Sequence, residues 1–387
     1  MKETRKELFN ACRLYKNGNY KEALEIFDKH YKTCPELFHI RFRSTYAWTI
    51  YRLYIDNFKS EEILFKAAEK ITDITTQQDL NTEDICIYTV AVMKVIRYLK
   101  KQEGYYSLSY WLEKLDPMLL ADRHEEYNGR TKQSDREFYF ETASIAYYKS
   151  GDYENCIEVT KKALSSLSSF VATSEVWHKW RLAKSLNMTG HPTEALDYLL
   201  EIIEIKGEWF MYNEIAEIYL SFKKPDRALD YLAPAVLSSE PLQNKAKIYY
   251  LIYRILSQRK SELALMHGEL YYLLKKEKGH ELPADIKVLG LNEAELDKRE
   301  ILKKIRDVWT QYRFKDQKLR HGTVIKFINE KNYGFIRDEN DESIFFHKDE
   351  FVGCNVYVGQ MVSFYTEESF DKAKMKKSVK AVNVRGE

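Results

Sequence analysis

The chain has 387 residues, with 61 Lys and Arg against 59 Asp and Glu and a formal net charge of +2. Such a balance excludes a global basic field, so any binding of nucleic acid must come from a local patch. The length suffices for two or more domains, and 29 tyrosines and 19 phenylalanines supply ample material for packing.

Residues 1 to about 280 read as helix after helix with short breaks. One phrase recurs: GNYKEALEIF (residues 18–27), GDYENCIEVT (151–160), GHPTEALDYL (190–199) and KPDRALDYLAPA (224–235). In each, a turn residue precedes a helix whose first buried position is small: Ala23, Cys156, Ala195 and Ala228. A small side chain there lets two antiparallel helices approach closely. Four residues on stands a larger or β-branched residue: Phe27, Thr160, Leu199 and Leu232. Further units are more degenerate, in 36–78, 83–117 and 244–278, where Gly104 and Ser109 stand in for the turn and the small residue of the middle one. The spacing of these phrases is close to a helix-turn-helix period of ~34 residues. The pattern resembles the tetratricopeptide repeat, whose units stack into a solenoid because no helix pair buries its apolar face alone.

The expected organisation has repeats over 1–117, an irregular connection over 118–135, and a second array over 136–282. A long basic helix over 290–319 follows, with Asn292 as its cap and Glu295 completing a capping box. It carries Arg313, Lys315, Lys318 and Arg320 toward its end and joins the last segment without a Pro/Gly/Ser linker, so that segment is expected to be held rather than tethered.

The last segment, 320–387, reads as short antiparallel strands. Val324 and Phe327 fall in the first, Tyr333 and Phe335 in the second, Phe345 and His347 in the third. Residues two apart on a strand share a face. Tyr333 with Phe335 and Phe345 with His347 therefore offer flat rings, and Lys326, Lys331 and Lys348 lie nearby, the combination that single-stranded nucleic acid needs. The acids of the segment cluster at 338–342 and 367–368, apart from these strands. The lysine-rich 372–380 is expected to be a loop before the final strand.

At these residues the segment resembles the cold-shock domain, a five-stranded oligonucleotide-binding barrel. The motif usually written KGFGFI stands here as KNYGFI (331–336), and VFVHF as IFFHK (344–348); GQMVSF (359–364) and AVNV (381–384) resemble its later strands. The resemblance implies that Lys326, Phe327, Lys331, Tyr333, Phe335, Phe345, His347 and Lys348 contact nucleic acid. Two positions depart from the family: Lys326 stands where a stacking tryptophan is usual, and Lys348 where a phenylalanine follows the histidine. Each lost ring forfeits roughly 1–3 kcal/mol of stacking, so weaker stacking and a stronger salt dependence are expected.

The sequence carries no HExxH, no GxxxxGK[ST] loop, no GxSxG and no Cys/His ligand spacing, so a binding protein is expected and not an enzyme, with no metal and no cofactor. Cys12, Cys34, Cys86, Cys156 and Cys354 are scattered without a CxxC pair and read as free thiols of a reducing compartment. The opening MKETRKELFNACRLYKNGNY has charge where a signal peptide needs an apolar run, and the most apolar stretch, 85–96, is too short for a bilayer. The fold class expected is a multidomain chain: an all-α tetratricopeptide-like solenoid followed by a small five-stranded barrel. The function expected is that of a cytoplasmic adaptor. Its barrel stacks single-stranded RNA or DNA, with RNA favoured although no residue reads a 2′-hydroxyl, and its repeat groove holds a protein partner. The alternative is a protein scaffold with a degenerate barrel, a subunit of a larger nuclease or helicase assembly.

Overall fold

The computed structural model describes residues 2–79, 85–127, 129–261, 263–352, 355–371 and 376–387. Cys354 and residues 372–375, which belong to the lysine-rich segment, lie outside them. Among the described residues no helix is long and apolar enough to cross a membrane. The chain forms a helical-repeat region followed by a small β-barrel, and divides into two compact units, Met1–Ala195 and Leu196–Glu387.

The helix pairs begin where the recurring phrase places them. Lys2–Lys16 pairs with Tyr20–Thr33, Asp135–Ser150 with Tyr153–Ser166, and Trp209–Ser221 with Pro225–Leu237. The turns of the first two use Gly18 and Gly151 at φ +81° and +79°, a left-handed conformation that glycine adopts without Cβ strain. In the third, Lys223 occupies the same place at φ +58°. Ala23, Cys156, Ala195 and Ala228 are all fully buried five residues beyond their turn residue. The degenerate unit corrects its own reading by one position: Glu103, and not Gly104, is left-handed at φ +56°, so the buried site is Leu108 rather than Ser109. Helix starts are capped by side chains that satisfy free backbone N–H groups; Ser134 Oγ accepts from Glu137 N at 3.0 Å and Asp152 from Asn155 N at 3.3 Å.

Because Ala228 is fully buried on a helix packed against Trp209–Ser221, Ala228→Leu is expected to cost about 1–3 kcal/mol by overpacking. Thermal melting of the variant checks this, and an unchanged melting temperature would count against the close approach of that helix pair.

The stretch 118–135 does not separate the repeats into independent arrays. One hydrophobic core runs from Leu8 through Leu112 and Phe140 to Ala163, across it. The reason lies in Arg136, which donates to the carbonyls of Pro117, Met118 and Leu120 at 3.2, 3.1 and 2.9 Å, and in buried Glu137, 2.8 Å from His124. The stretch also makes a small hairpin, Glu125–Tyr127 with Arg130–Lys132.

In the second unit the last helix is shorter than expected. Asn292 caps one 3-10 turn, Glu293–Glu295, and the helix proper is Lys298–Arg313, opened by Asp297, whose carboxylate accepts from Arg299 N and Glu300 N at 2.8 and 3.1 Å. Lys315, Lys318 and Arg320 therefore lie beyond it. This helix packs on Pro225–Leu237 and Leu263–Glu277. Tyr312 donates to Asp230 at 2.8 Å, and Trp309 Nε1 donates to buried His267 Nε2 at 2.8 Å.

The barrel strands are β1 (Arg320–Ile328), β2 (Tyr333–Asp338), β3 (Ser343–His347), the two-residue β4 (Phe351–Val352), β5 (Met361–Asp371) and β6 (Lys376–Gly386). Five principal strands and one short one thus run in the order β3-β2-β1-β5-β6-β4, and Phe345 of β3 beside Lys380 of β6 closes the barrel. The final strand starts at Lys376, so Lys380 belongs to a strand and not to a loop. Val324, Ile336, Ile344, Phe346, Val362, Phe364, Ala381 and Val384 fill the interior. The barrel is held on the last helix: Phe314 stacks on Tyr365 with centroids 4.2 Å apart, Arg313 pairs with Glu367, and Arg385 reaches Asp307 at 3.6 Å.

Candidate nucleic-acid interface

Two local features set the face. The first is a bulge in β1 between Val324 and Lys326. Strict alternation would put both residues on one side; the extra residue sends Val324 into the core and Lys326 to the surface. The same shift turns Phe327 inward, where it stacks on Phe346 at 6.1 Å and packs against the core. Phe327, expected among the binding residues, is therefore half-buried against the core. The second is Gly334, opposite Phe327 and Phe346. A Cβ there would stand 2.5 Å from the Lys326 carbonyl oxygen and 2.6 Å from the Phe346 ring. Gly334→Ala is expected to destabilise the barrel by roughly 1–3 kcal/mol. Faster amide hydrogen exchange across 320–386 checks it; native protection in the variant would refute the close approach.

The outward side chains form rows across the strands. Lys326, Phe335, Phe345 and Lys380 stand in successive register on β1, β2, β3 and β6. Ile328, Tyr333 and His347 make the next row. Tyr333, Phe335 and Phe345 meet edge-on or tilted, with centroids 5.5–6.0 Å apart, and all three are half-buried against one another on the outer face. His347 is also half-buried, its Nδ1 3.1 Å from Asp349 Oδ2.

Lys331 and Lys348 are exposed and belong to two turns at one end of this face. Lys331 ends the 3-10 turn Asn329–Lys331, and Asn332 follows at φ +53°, a region asparagine tolerates better than most residues. The Asn332 carbonyl accepts from Lys348 N at 2.8 Å, which draws the two turns together. The arrangement thus brings seven of the eight expected residues to one side of the barrel: four ring-bearing side chains with Lys326, Lys331 and Lys348 around them.

Four further residues belong to the picture: Lys380, Asp349, Glu350 and Glu367. Lys380 lies beside Phe345, within 3.4 Å of Glu350 and 3.9 Å of Glu367. The acids are therefore not all apart from the rings: Asp349 touches His347, and Glu350 and Glu367 flank the end of the aromatic row. Only a final strand begun before Ala381 would have revealed this from sequence. Asp338, by contrast, is structural. Burial alone would raise its pKa, but the N–H groups of Glu342 and Asn340 and the Arg320 guanidinium hold it below the usual carboxylate range. Among the described residues, no group of three or more His, Cys, Asp or Glu is placed to hold a metal ion.

Residues 320–386 match the family model of the 'Cold-shock' DNA-binding domain. No curated protein matches the chain in sequence. Among solved structures, the human IFIT1 dimer with PPP-AAAA aligns over 77% of this chain and 67% of its own at 15% identity and a TM-score of 0.37. A tetratricopeptide repeat protein from Parabacteroides merdae aligns over 80% of this chain and 100% of its own at 15% identity and a TM-score of 0.32. The thermophilic tetratricopeptide protein TTC0263 of Thermus thermophilus aligns over 64% and 98%, at 16% identity and a TM-score of 0.26. The repeat assignment rests on the helix pairs themselves, with their left-handed turn residues and small buried positions. Residues 320–386 are thus a cold-shock domain, placed C-terminal to a tetratricopeptide-like helical-repeat region.

Proposed function

We propose that this chain binds single-stranded nucleic acid, RNA in preference to DNA, on the outer face of its barrel, and that its helical repeats hold a protein partner. The observation that carries the reading is the row Lys326–Phe335–Phe345 with Tyr333 and His347 beside it. Rings spaced by adjacent strands offer π-faces to unstacked bases, and the lysines at their margins meet phosphate. Paired bases in a duplex have no free face for these rings. The contacts to the last helix run through Tyr365 and Glu367 of β5 and Arg385 of β6, whereas the four ring residues lie on β2 and β3. The protein works in this reading as an adaptor without catalytic chemistry of its own. The two lysines in place of family rings favour a second reading, a scaffold whose barrel has lost its ligand.

Titration of the full chain against a fluorescent single-stranded oligonucleotide, in RNA and DNA form and at two salt concentrations, separates the two. Salt-dependent binding of the strand with none of a blunt duplex is expected. Absence of binding even at low salt would leave the scaffold reading alone.

A further inference from the structure

The row of outward side chains does not end at the rings. Lys380 on β6 is the direct neighbour of Phe345, so that Lys326 and Lys380 bracket Phe335 and Phe345 from opposite sides. A base stacked on either ring has its phosphates within reach of one lysine or the other. Yet the two lysines differ. Lys326 is exposed and no carboxylate lies on it among the ion pairs of the described residues. Lys380 is two-thirds buried and sits between Glu350, at 3.4 Å, and Glu367, at 3.9 Å. Glu350 is fixed in turn by the backbone N–H of Asn383 at 3.5 Å, and Glu367 by Arg313 of the last helix.

We propose that Lys380 is a further phosphate contact of this face and that Glu350 and Glu367 restrain it. The inference rests on the strand-binding reading above. A backbone phosphate that approaches Phe345 from the β6 side meets an ammonium whose charge is already engaged by two carboxylates. Removing one carboxylate leaves Lys380 paired with Glu367, which is itself shared with Arg313, and the ammonium is then available to phosphate. The restraint keeps affinity on this side of the face low and release of the strand fast.

The test uses the full chain and a fluorescent single-stranded oligonucleotide titrated over a range of salt. Glu350→Gln keeps the acceptor for Asn383 and is expected to tighten binding at low salt and steepen the log affinity against log salt slope by about 0.7, one phosphate contact on a single strand. Lys380→Gln is expected to change the wild-type slope little and to abolish the gain when combined with Glu350→Gln. Such non-additivity identifies a coupled pair. An equal gain from Glu350→Gln with and without Lys380 would show a general charge effect and overturn the proposal, as would no gain at all. If the wild type binds and loses affinity on Tyr333→Ala while the Glu350 and Lys380 variants change nothing, this inference fails and the face stands. If the wild type does not bind, both fail.

Discussion

The double change Tyr333→Ala with Phe345→Ala is expected to remove roughly 2–6 kcal/mol of affinity for single-stranded nucleic acid, because each base–ring stack contributes about 1–3 kcal/mol. Those rings lie on adjacent strands with centroids 5.5 Å apart, so they share a surface but present separate faces to separate bases. Stacking persists at any salt, so the loss should be nearly constant from low to high ionic strength. Lys326→Ala with Lys331→Ala should behave otherwise. Both lysines are exposed, and each phosphate contact contributes about −0.7 to the slope of log affinity against log salt. Their removal should flatten that slope by up to about 1.4 and leave affinity at high salt almost unchanged. Oligonucleotide titrations of wild type and both double variants at two salt concentrations check the pair of expectations. A ring variant that binds as tightly as wild type would refute the stacking platform, whatever the lysines do. Circular dichroism of each variant guards against a trivial cause, since the four residues lie outside the core that fills the barrel.

How far the sequence carries can be followed residue by residue. The repeat phrase works because it encodes two separate demands, a left-handed turn residue and a small buried side chain five residues later. Both demands survive at Gly18, Gly151 and Gly190, and Lys223 shows that the position matters more than the glycine. Where the turn residue is Glu103 and the buried residue Leu108, neither demand leaves its usual letter, and the sequence reading slips by one. Capping misleads for a related reason. Asn292 accepts from Ala294 N at 3.2 Å and donates its side-chain amide to Glu295 at 2.8 Å, but a cap satisfies the first N–H groups of any turn, and here the turn is a single one.

In the barrel, alternation identified Tyr333, Phe335, Phe345 and His347 on one face because β2 and β3 are regular along their whole register. Phe327, which the family resemblance places among the binding residues, turns inward because β1 is not regular. A bulge of one residue exchanges the two faces, and no residue type between Val324 and Lys326 announces it. Lys380 was hidden for another reason. It is the neighbour of Phe345 only through the pairing of β3 with β6 that closes the barrel, a contact between residues far apart in sequence. Local patterns report what lies along a strand; closure and bulges decide what lies across it.

A second large effect is expected from acid, at the helix that carries the barrel. His267 is fully buried, donates from Nδ1 to the Leu263 carbonyl at 2.7 Å and accepts at Nε2 from Trp309. Its ring is therefore neutral and both nitrogens are used. Burial pushes its pKa down to about 4, the Leu263 carbonyl opposing this only in part. In the unfolded chain the ring titrates near its ordinary value of about 6.5. Between these values the unfolded chain binds a proton that the folded one refuses, so stability falls as pH drops below about 6.5 and the loss levels off near 4, at roughly 3 kcal/mol. His178, pushed down to about 3 by its burial beside Arg181 and Lys100, adds a loss of the same sign in the first unit. Hydrogen exchange along Lys298–Arg313 isolates the contribution of His267. Protection there should weaken between pH 6.5 and 4.5 in the wild type and lose this dependence in His267→Gln. Trp309→Phe leaves Nε2 buried without its donor and is expected to cost about 1–3 kcal/mol at neutral pH. An acid response of this helix that is the same in His267→Gln would refute the assignment. Since Phe314 and Asp307 of the same segment hold Tyr365 and Arg385 of the barrel, loosening it also frees the barrel from its support. The ring platform itself lies on β2 and β3, away from those contacts, so oligonucleotide binding should outlast the docking of the barrel as pH falls.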